Sequence, residues 1–388
     1  MNIVIVPFHD WRKILLEGSR TRDAHFIEAF KSREDICVII NRPTTLLEIQ
    51  LKRKRGLIKG KLILSNGGCK LYEYSKNTYL IDYVSVDVVG QALKNYNWFI
   101  SEYGSDKYVN FINQSLAHLG IKENYSLLNQ NIFASRLSSK LKPKVSIFDA
   151  WDNFAKFSVY SKLKEEIIEN YMQFSKTCDF WITNSVDNIS EFKTQYGVEN
   201  IHLIANGVDV SRFVGASKSI PDDLSQIKKP IVGFGGKISH LLDVELINKT
   251  TEASPDVSFV FVGQILDKTI FNEIIKRENV HYLGDKHYDV YPDYVKNFDI
   301  CTVPYVIDEK KKSGANTIKV YEYLATQKKV VGTLSNGLEN LLDHVYIINN
   351  ASEFSDALKS CENHKNKIDL KTHSWETKTQ QIIELILS

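Results

Sequence analysis

The sequence lacks the marks of several large classes of protein. Its five cysteines form no Cys-x-x-Cys pair, which argues against a disulfide framework and a zinc site. No apolar run approaches the roughly 18–20 residues that cross a bilayer, and the chain opens on a short apolar strand without the basic lead of a signal peptide. No aromatic–basic repeat or zinc-finger spacing indicates nucleic acid. We therefore expect a cytoplasmic protein with reduced thiols and no nucleic-acid partner.

Glycine is missing where a dinucleotide-binding fingerprint requires it. The stretch Gly233-Phe-Gly-Gly-Lys237 ends a predicted strand, but the third glycine of G-x-G-x-x-G would fall on Ile238, so an NAD enzyme is disfavoured. Glycines here still let the backbone approach a diphosphate closely. Gly235, Gly236 and Lys237 are therefore candidates for binding a nucleotide phosphate, and no bound cofactor is expected.

The 388 residues, of which 43% are hydrophobic and 25% charged, suit two globular domains better than one core. Apolar strands alternate with helical stretches, which predicts α/β domains with parallel sheets. The predicted domains are residues 1–208 and 209–373, followed by a helix in residues 374–388. We predict strands at Asn2–Val6, Ile36–Ile40, Val145–Phe148, Phe180–Thr183, Ile201–Ile204, Val257–Gly263, Val280–Gly284, Ile300–Pro304, Val330–Thr333 and Val345–Ile348, helices at Ile132–Leu141 and Lys162–Phe174, and weaker strands at Leu62–Leu64, Leu80–Tyr83 and Trp98–Glu102.

One short helix has the composition of an anion site. Asn316 or Thr317 can cap its start, and Lys319 lies in its first turn, where a cation meets the positive end of the helix dipole. A lysine there makes sense beside a bound phosphate, because loop amides and a helix N-terminus also attract anions. Glu322 shares the face of Lys319 and could accept hydrogen bonds from sugar hydroxyls. The alternative is a surface helix with an ordinary ion pair between the two side chains.

This segment carries a resemblance to a known family. Lys319-x-x-Glu322-Tyr-Leu-Ala325, followed by Val330-Val331, resembles the donor-binding segment of glycosyltransferases with the two-domain GT-B fold, and Asp299–Tyr305 resembles the strand that precedes it. The variant is most similar to the inverting GumK-like branch and to glycosyltransferase family 4-like bacterial polysaccharide transferases. The resemblance begins at about Val145.

The resemblance implies an α/β protein with two Rossmann-like domains that face a cleft, and a last helix that crosses back onto the first domain. It implies a nucleotide-sugar donor, a UDP-sugar first, and a glycan or lipid-linked glycan acceptor in cell-surface polysaccharide synthesis. Lys319 would bind the donor phosphates and Glu322 its ribose or sugar hydroxyls. Gly263, Tyr288 and Tyr305 would line the same side, with the nucleotide base near Gly284–Tyr288.

Polar residues follow the first predicted strand, at the carboxyl end where open α/β sheets bind ligands. The next loop and helix start add cationic and acidic side chains that could hold an anionic acceptor. The alternative is a polar loop that caps a helix. The candidate acceptor-binding residues are His9, Asp10, Arg20, Arg22, Asp23 and His25.

Two carboxylates follow the predicted strand Val145–Phe148. Asp149 and Asp152 are placed to take the proton from an attacking sugar hydroxyl, and Asp152 is slightly favoured, although it could instead cap a helix. The stretch resembles the Asp-x-x-Asp-Asp of the GumK-like branch, in which an aspartate is the base, but its last position here is Asn153. Gly314 stands where retaining members carry a second acid, and no Asp-x-Asp pair lies near the donor segment. These absences favour inverting transfer without a metal.

The sharpest basic cluster is Lys52-Arg-Lys-Arg55. Such a patch attracts anionic lipid headgroups, so contact with the inner face of the cell membrane is predicted, and a solvated helix end is the alternative. Two rival functions stay open. One is a nucleotide-sugar epimerase of the same architecture, and the other is a non-catalytic nucleotide-sugar-binding protein.

Overall fold

The computed structural model describes the chain except for Glu34, Arg53, Arg55, Lys218, residues 308–315, Asn336 and residues 360–367. The chain divides into two compact units. Unit 1 comprises Met1–Ala205 together with Thr379–Ser388, and unit 2 comprises Asn206–Lys378. None of the helices within the described ranges is both long and apolar enough to span a bilayer.

Unit 1 is built on a largely parallel sheet. The strand order is β10-β9-β8-β7-β1-β2-β6-β5-β4, with β3 paired to β6. The pairs from β10 to β6 are parallel, and β6, β5 and β4 form an antiparallel extension. The strands are β1 (Ile3–Val6), β2 (Cys37–Ile40), β3 (Thr44–Thr45), β4 (Lys61–Asn66), β5 (Cys69–Ser75), β6 (Thr78–Ser85), β7 (Ser126–Asn129), β8 (Val145–Asp149), β9 (Phe180–Thr183) and β10 (Ile201–Leu203).

The helices of unit 1 are α1 (Trp11–Glu17), α2 (Arg22–Lys31), α3 (Leu46–Leu51), α4 (Val88–Lys94), α5 (Tyr96–Tyr103), α6 (Asp106–His118), α7 (Ser135–Ser138), α8 (Lys164–Thr177) and α9 (Val186–Tyr196). Two apolar clusters bury the sheet, as parallel strands with near-continuous apolar runs require. In one, Val4 and Val38 pack with Ile112 of α6. In the other, the rings of Phe148 and Phe174 stack at 3.8 Å.

Two local predictions for unit 1 are wrong. Residues 98–102, predicted as a weak strand, belong to α5, where Trp98, Phe99 and Ile100 are all buried. A run of consecutive apolar residues cannot be assigned to strand or helix by its periodicity. Residues 132–141 form a 3-10 turn, Ile132–Ala134, and the short α7 instead of one helix.

Unit 2 has a six-stranded, wholly parallel sheet of order β13-β12-β11-β14-β15-β16. Its strands are β11 (Ile231–Gly235), β12 (Ser258–Val262), β13 (Val280–Tyr282), β14 (Ile300–Val303), β15 (Lys329–Gly332) and β16 (Tyr346–Ile347), and its helices are α10 (Val210–Phe213), α11 (Asp222–Ser225), α12 (Val244–Ala253), α13 (Lys268–Glu273), α14 (Tyr291–Asn297), α15 (Ile318–Ala325) and α16 (Ala351–Lys359). The last helix, α17 (Trp375–Leu387), starts in unit 2 and ends in unit 1. The strands predicted after residue 256 all occur, within two residues at each end.

The parallel part of each sheet reverses its strand order at one point, between β1 and β7 in unit 1 and between β11 and β14 in unit 2. The order in unit 2 is that of a Rossmann fold, in which ligands bind beyond the carboxyl ends of the strands at the point of reversal. His9 follows β1 in unit 1, and Gly236 and Tyr305 follow β11 and β14 in unit 2. The topology therefore places these three residues at the edge of each sheet where open α/β folds bind ligands.

Candidate active site

A lysine lies at the switch point of unit 2. Phe234, Gly236 and Tyr305 surround the side chain of this lysine, Lys319. The Lys319 ammonium donates a hydrogen bond to the Tyr305 hydroxyl at 2.6 Å and lies 4.2 Å from the centre of the Phe234 ring. Among the described residues, the Tyr305 hydroxyl accepts from one of the three N–H donors of the Lys319 ammonium. The other two donors are left for an anionic ligand.

The glycines of this edge contribute space and not free amides. A Cβ on Gly236 would lie 2.3 Å from the Lys319 Nζ atom, and one on Gly263 would lie 2.0 Å from the Gly236 carbonyl oxygen. The amide of Gly236 donates to Val262 at 2.8 Å and that of Gly263 to Gly284 at 2.9 Å. The Gly235 amide donates to the Tyr323 hydroxyl at 2.7 Å. The amides of Gly235, Gly236 and Gly263 are therefore already used.

Glu322 lies one turn beyond Lys319 and is buried, with 4% of its surface exposed. The Tyr288 hydroxyl donates to its Oε1 atom at 2.7 Å. Burial raises the pKa of Glu322 to about 7, against the opposing effects of the Tyr288 hydrogen bond and the Lys319 charge. Burial and the nearby Glu322 also raise the pKa of Tyr288, so Tyr288 stays a donor. A buried carboxyl group that titrates near neutrality is a candidate functional group.

The start of α15 differs from its prediction. Thr317 occupies the N-cap position, but its side chain makes no capping hydrogen bond. Asn316 does not cap the helix either, since its Oδ1 atom accepts from the Asn206 amide at 2.9 Å and its Nδ2 atom donates to Tyr321. Lys319 and Glu322 bond to different tyrosines, so the alternative of a simple ion pair between them is wrong.

Other predicted residues of unit 2 have distinct positions. Tyr288 is 2% exposed and its hydroxyl contacts Glu322, so its contact with the nucleotide stays a prediction. Lys237 is exposed. Sequence reasoning missed Arg212, whose guanidinium lies 5.4 Å from the Tyr288 ring centre and pairs with Asp209 and Asp289. It also missed Phe234, although an aromatic residue between glycines was visible in the sequence.

In unit 1 the structure joins His9 to Asp23. The His9 amide and its Nδ1 atom lie 2.8 and 3.0 Å from the Asp23 Oδ2 atom. Burial by itself would raise the pKa of Asp23, but His9 and further hydrogen bonds hold it well below its usual value. An ionised Asp23 accepts from Nδ1–H, and in a neutral imidazole this arrangement leaves the lone pair on the second ring nitrogen, Nε2. Nε2 has no hydrogen-bond partner among the described residues.

Asp149 is bound to two side chains that hold it in the protein interior. Arg22 donates from Nε at 2.8 Å and Gln130 from Nε2 at 2.9 Å. Asp149 is 1% exposed and Arg22 is 5% exposed. The predicted base and the predicted acceptor-binding arginine therefore form a buried ion pair with each other, which explains both residues without a ligand.

Asp152 follows β8 after two further residues and is 7% exposed. The Tyr171 hydroxyl donates to its backbone carbonyl oxygen at 2.8 Å. It does not cap the next helical turn, because Asn153 does so by accepting from the Ala155 amide. The alternative of Asp152 as a helix cap is therefore wrong.

Asp10 belongs to a buried network and not to an open site. It caps α1 by accepting from the Arg12 amide, and it accepts from Lys54 Nζ at 2.7 Å and from Asn41 at 3.2 Å. Burial favours the neutral acid, yet Lys54 and the nearby arginines lower the pKa of Asp10. Lys54 is 5% exposed. It is therefore not part of a surface patch, which corrects the prediction for this member of the basic cluster, while Lys52 is exposed and Arg53 and Arg55 lie outside the described residues.

The other candidates in this region have local contacts. Arg20 donates to Glu17 at 2.6 Å, and His25 is buried in α2 with its amide bonded to Thr21. No group of three histidine, cysteine, aspartate or glutamate side chains within the described ranges could hold a metal ion.

Comparison with known proteins gives structural likeness without sequence likeness. No protein-family model matches the chain, and no curated protein sequence matches it. An α,α-trehalose-phosphate synthase (UDP-forming) from Burkholderia xenovorans, in complex with glucose-6-phosphate, superposes with a TM-score of 0.69 at 10% identity over 100% of both chains. A TarM mutant from S. aureus, in complex with fondaparinux, α-GlcNAc-glycerol and UDP, gives 0.63 at 12% identity over 100% of this chain and 99% of that one. A structure described as a UDP-N-acetylglucosamine 2-epimerase from Listeria monocytogenes gives 0.55 at 10% identity over 100% and 96%.

The class of fold follows from these likenesses and from the two sheets. The synthase and TarM are enzymes with two Rossmann-like domains, and the chain has the GT-B fold, as the resemblance implied. At this identity the likeness establishes the fold and not the reaction. The GumK-like branch and glycosyltransferase family 4 stay predictions.

Proposed function

We propose that the protein is a glycosyltransferase that moves a sugar from a nucleotide-sugar donor to a hydroxyl of an acceptor glycan. The observation that carries the proposal is the arrangement around α15. Lys319 packs on the Phe234 ring over a glycine that leaves it room, and the buried Glu322 lies one turn behind it. UDP appears in the descriptions of the synthase and of TarM, which makes a UDP-sugar the first donor to test.

In this proposal Lys319 stabilises the leaving nucleoside diphosphate. Its two remaining N–H donors would bind the phosphate oxygens, where negative charge grows as the bond to the sugar breaks. Glu322 would accept hydrogen bonds from hydroxyls of the ribose or the sugar. Because the glycine amides are occupied, the lysine and the start of α15 supply the positive charge.

We assign the general base to unit 1, with His9 first and Asp152 second. The acceptor oxygen would attack the anomeric carbon, the bond from that carbon to the diphosphate oxygen would break, and the acceptor proton would pass to His9 Nε2. Asp23 would orient the ring, as the third group of such arrangements does. Asp149 is a weaker base, since Arg22 and Gln130 already bind its carboxylate.

Direct displacement with one base would invert the anomeric configuration. The absence of a second acid at Gly314 supports inversion, although Gly314 lies outside the described residues. A lipid-linked glycan in cell-surface polysaccharide synthesis is the acceptor class we propose, with transfer that needs no metal. Determining the anomeric configuration of the product by NMR tests the proposal, because a retained configuration would exclude a single-base mechanism.

A donor screen tests the proposal as a whole. A ligand that binds only the folded state raises the melting temperature by mass action, so a panel of UDP-, GDP- and dTDP-sugars should give a shift for one nucleotide class. Transfer of radiolabelled sugar from that donor to an extracted glycolipid fraction should follow. If no nucleotide sugar shifts the melting temperature, the proposal is wrong.

Lys319→Ala should weaken UDP binding by about tenfold or more, since hydrogen bonds to charged groups contribute about 1.5–3 kcal/mol. Isothermal titration calorimetry measures the change. Lys268→Ala, at an exposed lysine of α13 in the same unit, is the control for a general loss of positive charge. Equal affinity in the Lys319 variant and the wild type would remove the lysine from the site.

Gly236→Ala should weaken UDP binding as Lys319→Ala does, because its Cβ would displace the ammonium group from Tyr305. Its φ of +149° adds backbone strain, which costs about 1–3 kcal/mol of stability. Gly215→Ala is the matched control, since Gly215 has φ +87° and no atom near its Cβ position. Calorimetry should show wild-type affinity for the control. Unchanged affinity in Gly236→Ala would show that the position of the ammonium group does not matter.

The epimerase among the structural neighbours supports one alternative function. An epimerase would convert its sugar nucleotide with no acceptor present, whereas a transferase would leave it unchanged. Incubation with the donor alone, followed by chromatography of the sugar nucleotide, separates the two. A new sugar nucleotide in that reaction would favour the epimerase.

A further inference from the structure

Two neighbouring helices of unit 1 expose an unusual amount of apolar surface. Leu46 and Leu51 of α3 are 60% and 73% exposed, and Val89 and Leu93 of α4 are 69% and 79% exposed. Leu47 (42%) and Val86 (82%), just before α4, extend this surface. We call these six side chains the α3–α4 patch. Single exposed apolar residues need no explanation, but contiguous ones mark an interaction site.

The two helices are held side by side by their polar residues. Gln91 of α4 hydrogen-bonds with Thr45 at the start of α3 and donates to Glu48 at 2.7 Å. Glu48 is 7% exposed and also accepts from Arg42 at 2.6 Å. Glu48 and Gln91 thus bond to each other, while the leucines and valines of the patch face solvent beside the exposed Gln50, Lys52 and Lys94.

The chemistry of the patch fits a lipid surface better than a protein partner. Its members are all leucine or valine, whereas the residues that dominate protein–protein binding are tryptophan, tyrosine and arginine. Lysines lie at the carboxyl ends of both helices, Lys52 after α3 and Lys94 in the last turn of α4, and both are exposed, although Lys52 also donates to Glu48 at 2.8 Å. Leucine on one face with lysine at its edge is the pattern of an interfacial helix on anionic lipid.

We propose that the α3–α4 patch docks on the surface of an anionic phospholipid bilayer. The leucines and valines would enter the boundary between headgroups and acyl chains, and Lys52 and Lys94 would contact the headgroup phosphates. The surface shares Lys52 with the basic cluster predicted from the sequence, whereas Lys54 is buried against Asp10 and takes no part. The inference concerns binding alone and does not depend on the sugar chemistry.

Co-sedimentation of the full chain with vesicles tests this inference. The wild type should bind vesicles of phosphatidylcholine with 30% phosphatidylglycerol more tightly than vesicles of phosphatidylcholine alone. Leu51→Ser combined with Leu93→Ser should lower the partition coefficient by about tenfold or more, because two large apolar side chains would no longer leave water on binding. Lys52→Gln combined with Lys94→Gln should abolish the preference for phosphatidylglycerol.

Leu266→Ser combined with Leu342→Ser is the matched control. These leucines of unit 2 are 57% and 54% exposed, so their replacement should leave vesicle binding unchanged, and thermal unfolding confirms that all variants fold. Wild-type binding that is absent, equal on both vesicles, or unaffected by the Leu51/Leu93 change would overturn the proposal. So would a dimer, seen by analytical ultracentrifugation, that only the Leu51/Leu93 change dissociates, since the patch would then bind a second copy of the chain.

Discussion

His9→Gln is expected to lower the rate of sugar transfer by about 10²–10⁴-fold, the range that a general base contributes. Glutamine preserves most of the volume and can still donate to Asp23, but it cannot take a proton from an acceptor hydroxyl. Single-turnover transfer with the donor found by the screen measures the effect. The melting temperature and the affinity for UDP should stay at wild-type values, because donor binding is assigned to unit 2.

Asp23→Asn tests whether Asp23 orients the His9 ring, separately from the proton transfer that is assigned to His9. Asparagine loses the charge that stabilises a protonated imidazole and can hold His9 in the wrong tautomer, so the rate should fall while UDP affinity is kept. The loss should add little to that of His9→Gln in the double variant, since two residues that act as a unit are not additive. Additive losses would show that Asp23 does not act through His9.

Asp152→Asn is the competing variant and decides between the two candidate bases. If its rate falls by the amount expected for His9→Gln, and His9→Gln itself transfers at nearly the wild-type rate, the base is the carboxylate that the sequence favoured. The structure removes one complication from this experiment. Asn153 caps the following turn, so the Asp152 substitution does not disturb a helix cap.

The sequence could predict features that depend on local pattern. The apolar run Phe180–Thr183 is a strand with the predicted limits, and the spacing of Lys319 and Glu322 placed both on α15. The GT-B fold was predicted from the resemblance that begins at about Val145, whereas the order of the strands was not predicted. Periodicity failed at Trp98–Ile100, where consecutive apolar residues are buried in a helix.

Partners distant in the sequence could not be predicted from it. Arg22 and Asp149 were both identified as candidates, yet nothing in their separate positions indicated that they bind each other across 127 residues. Lys54 was grouped with its neighbours by charge, although it turns inward to Asp10. The glycines at the end of β11 were predicted to let the backbone approach a diphosphate, but the hydrogen bonds of their amides depend on strand register and on Tyr323.

Glu322→Gln is expected to make the protein more stable than the wild type at pH 8, by about 3 kcal/mol, and equally stable at pH 4. In the unfolded chain Glu322 has its ordinary pKa of 4.5, and in the folded protein burial raises that pKa to about 7. Between these values the folded protein keeps a proton that the unfolded chain has lost, so the free energy of unfolding falls as the pH rises. Glutamine is neutral throughout and removes this fall, and each pKa unit corresponds to about 1.4 kcal/mol.

Urea unfolding of both proteins from pH 4 to pH 8 measures the difference, with Glu273→Gln at an exposed position of α13 as the control that should follow the wild type. Lys319→Ala should extend the fall above pH 7, because the lysine charge opposes the effect of burial on the Glu322 pKa. A constant difference at every pH would mean that Glu322 keeps its ordinary pKa.

If Glu322→Gln also weakens UDP binding, then Glu322 contributes to binding although its ionised carboxylate lowers the stability of the protein. A destabilising group at a binding site is expected when function and not folding selects the residue, and that result would support donor binding by Glu322 independently of any measurement of transfer.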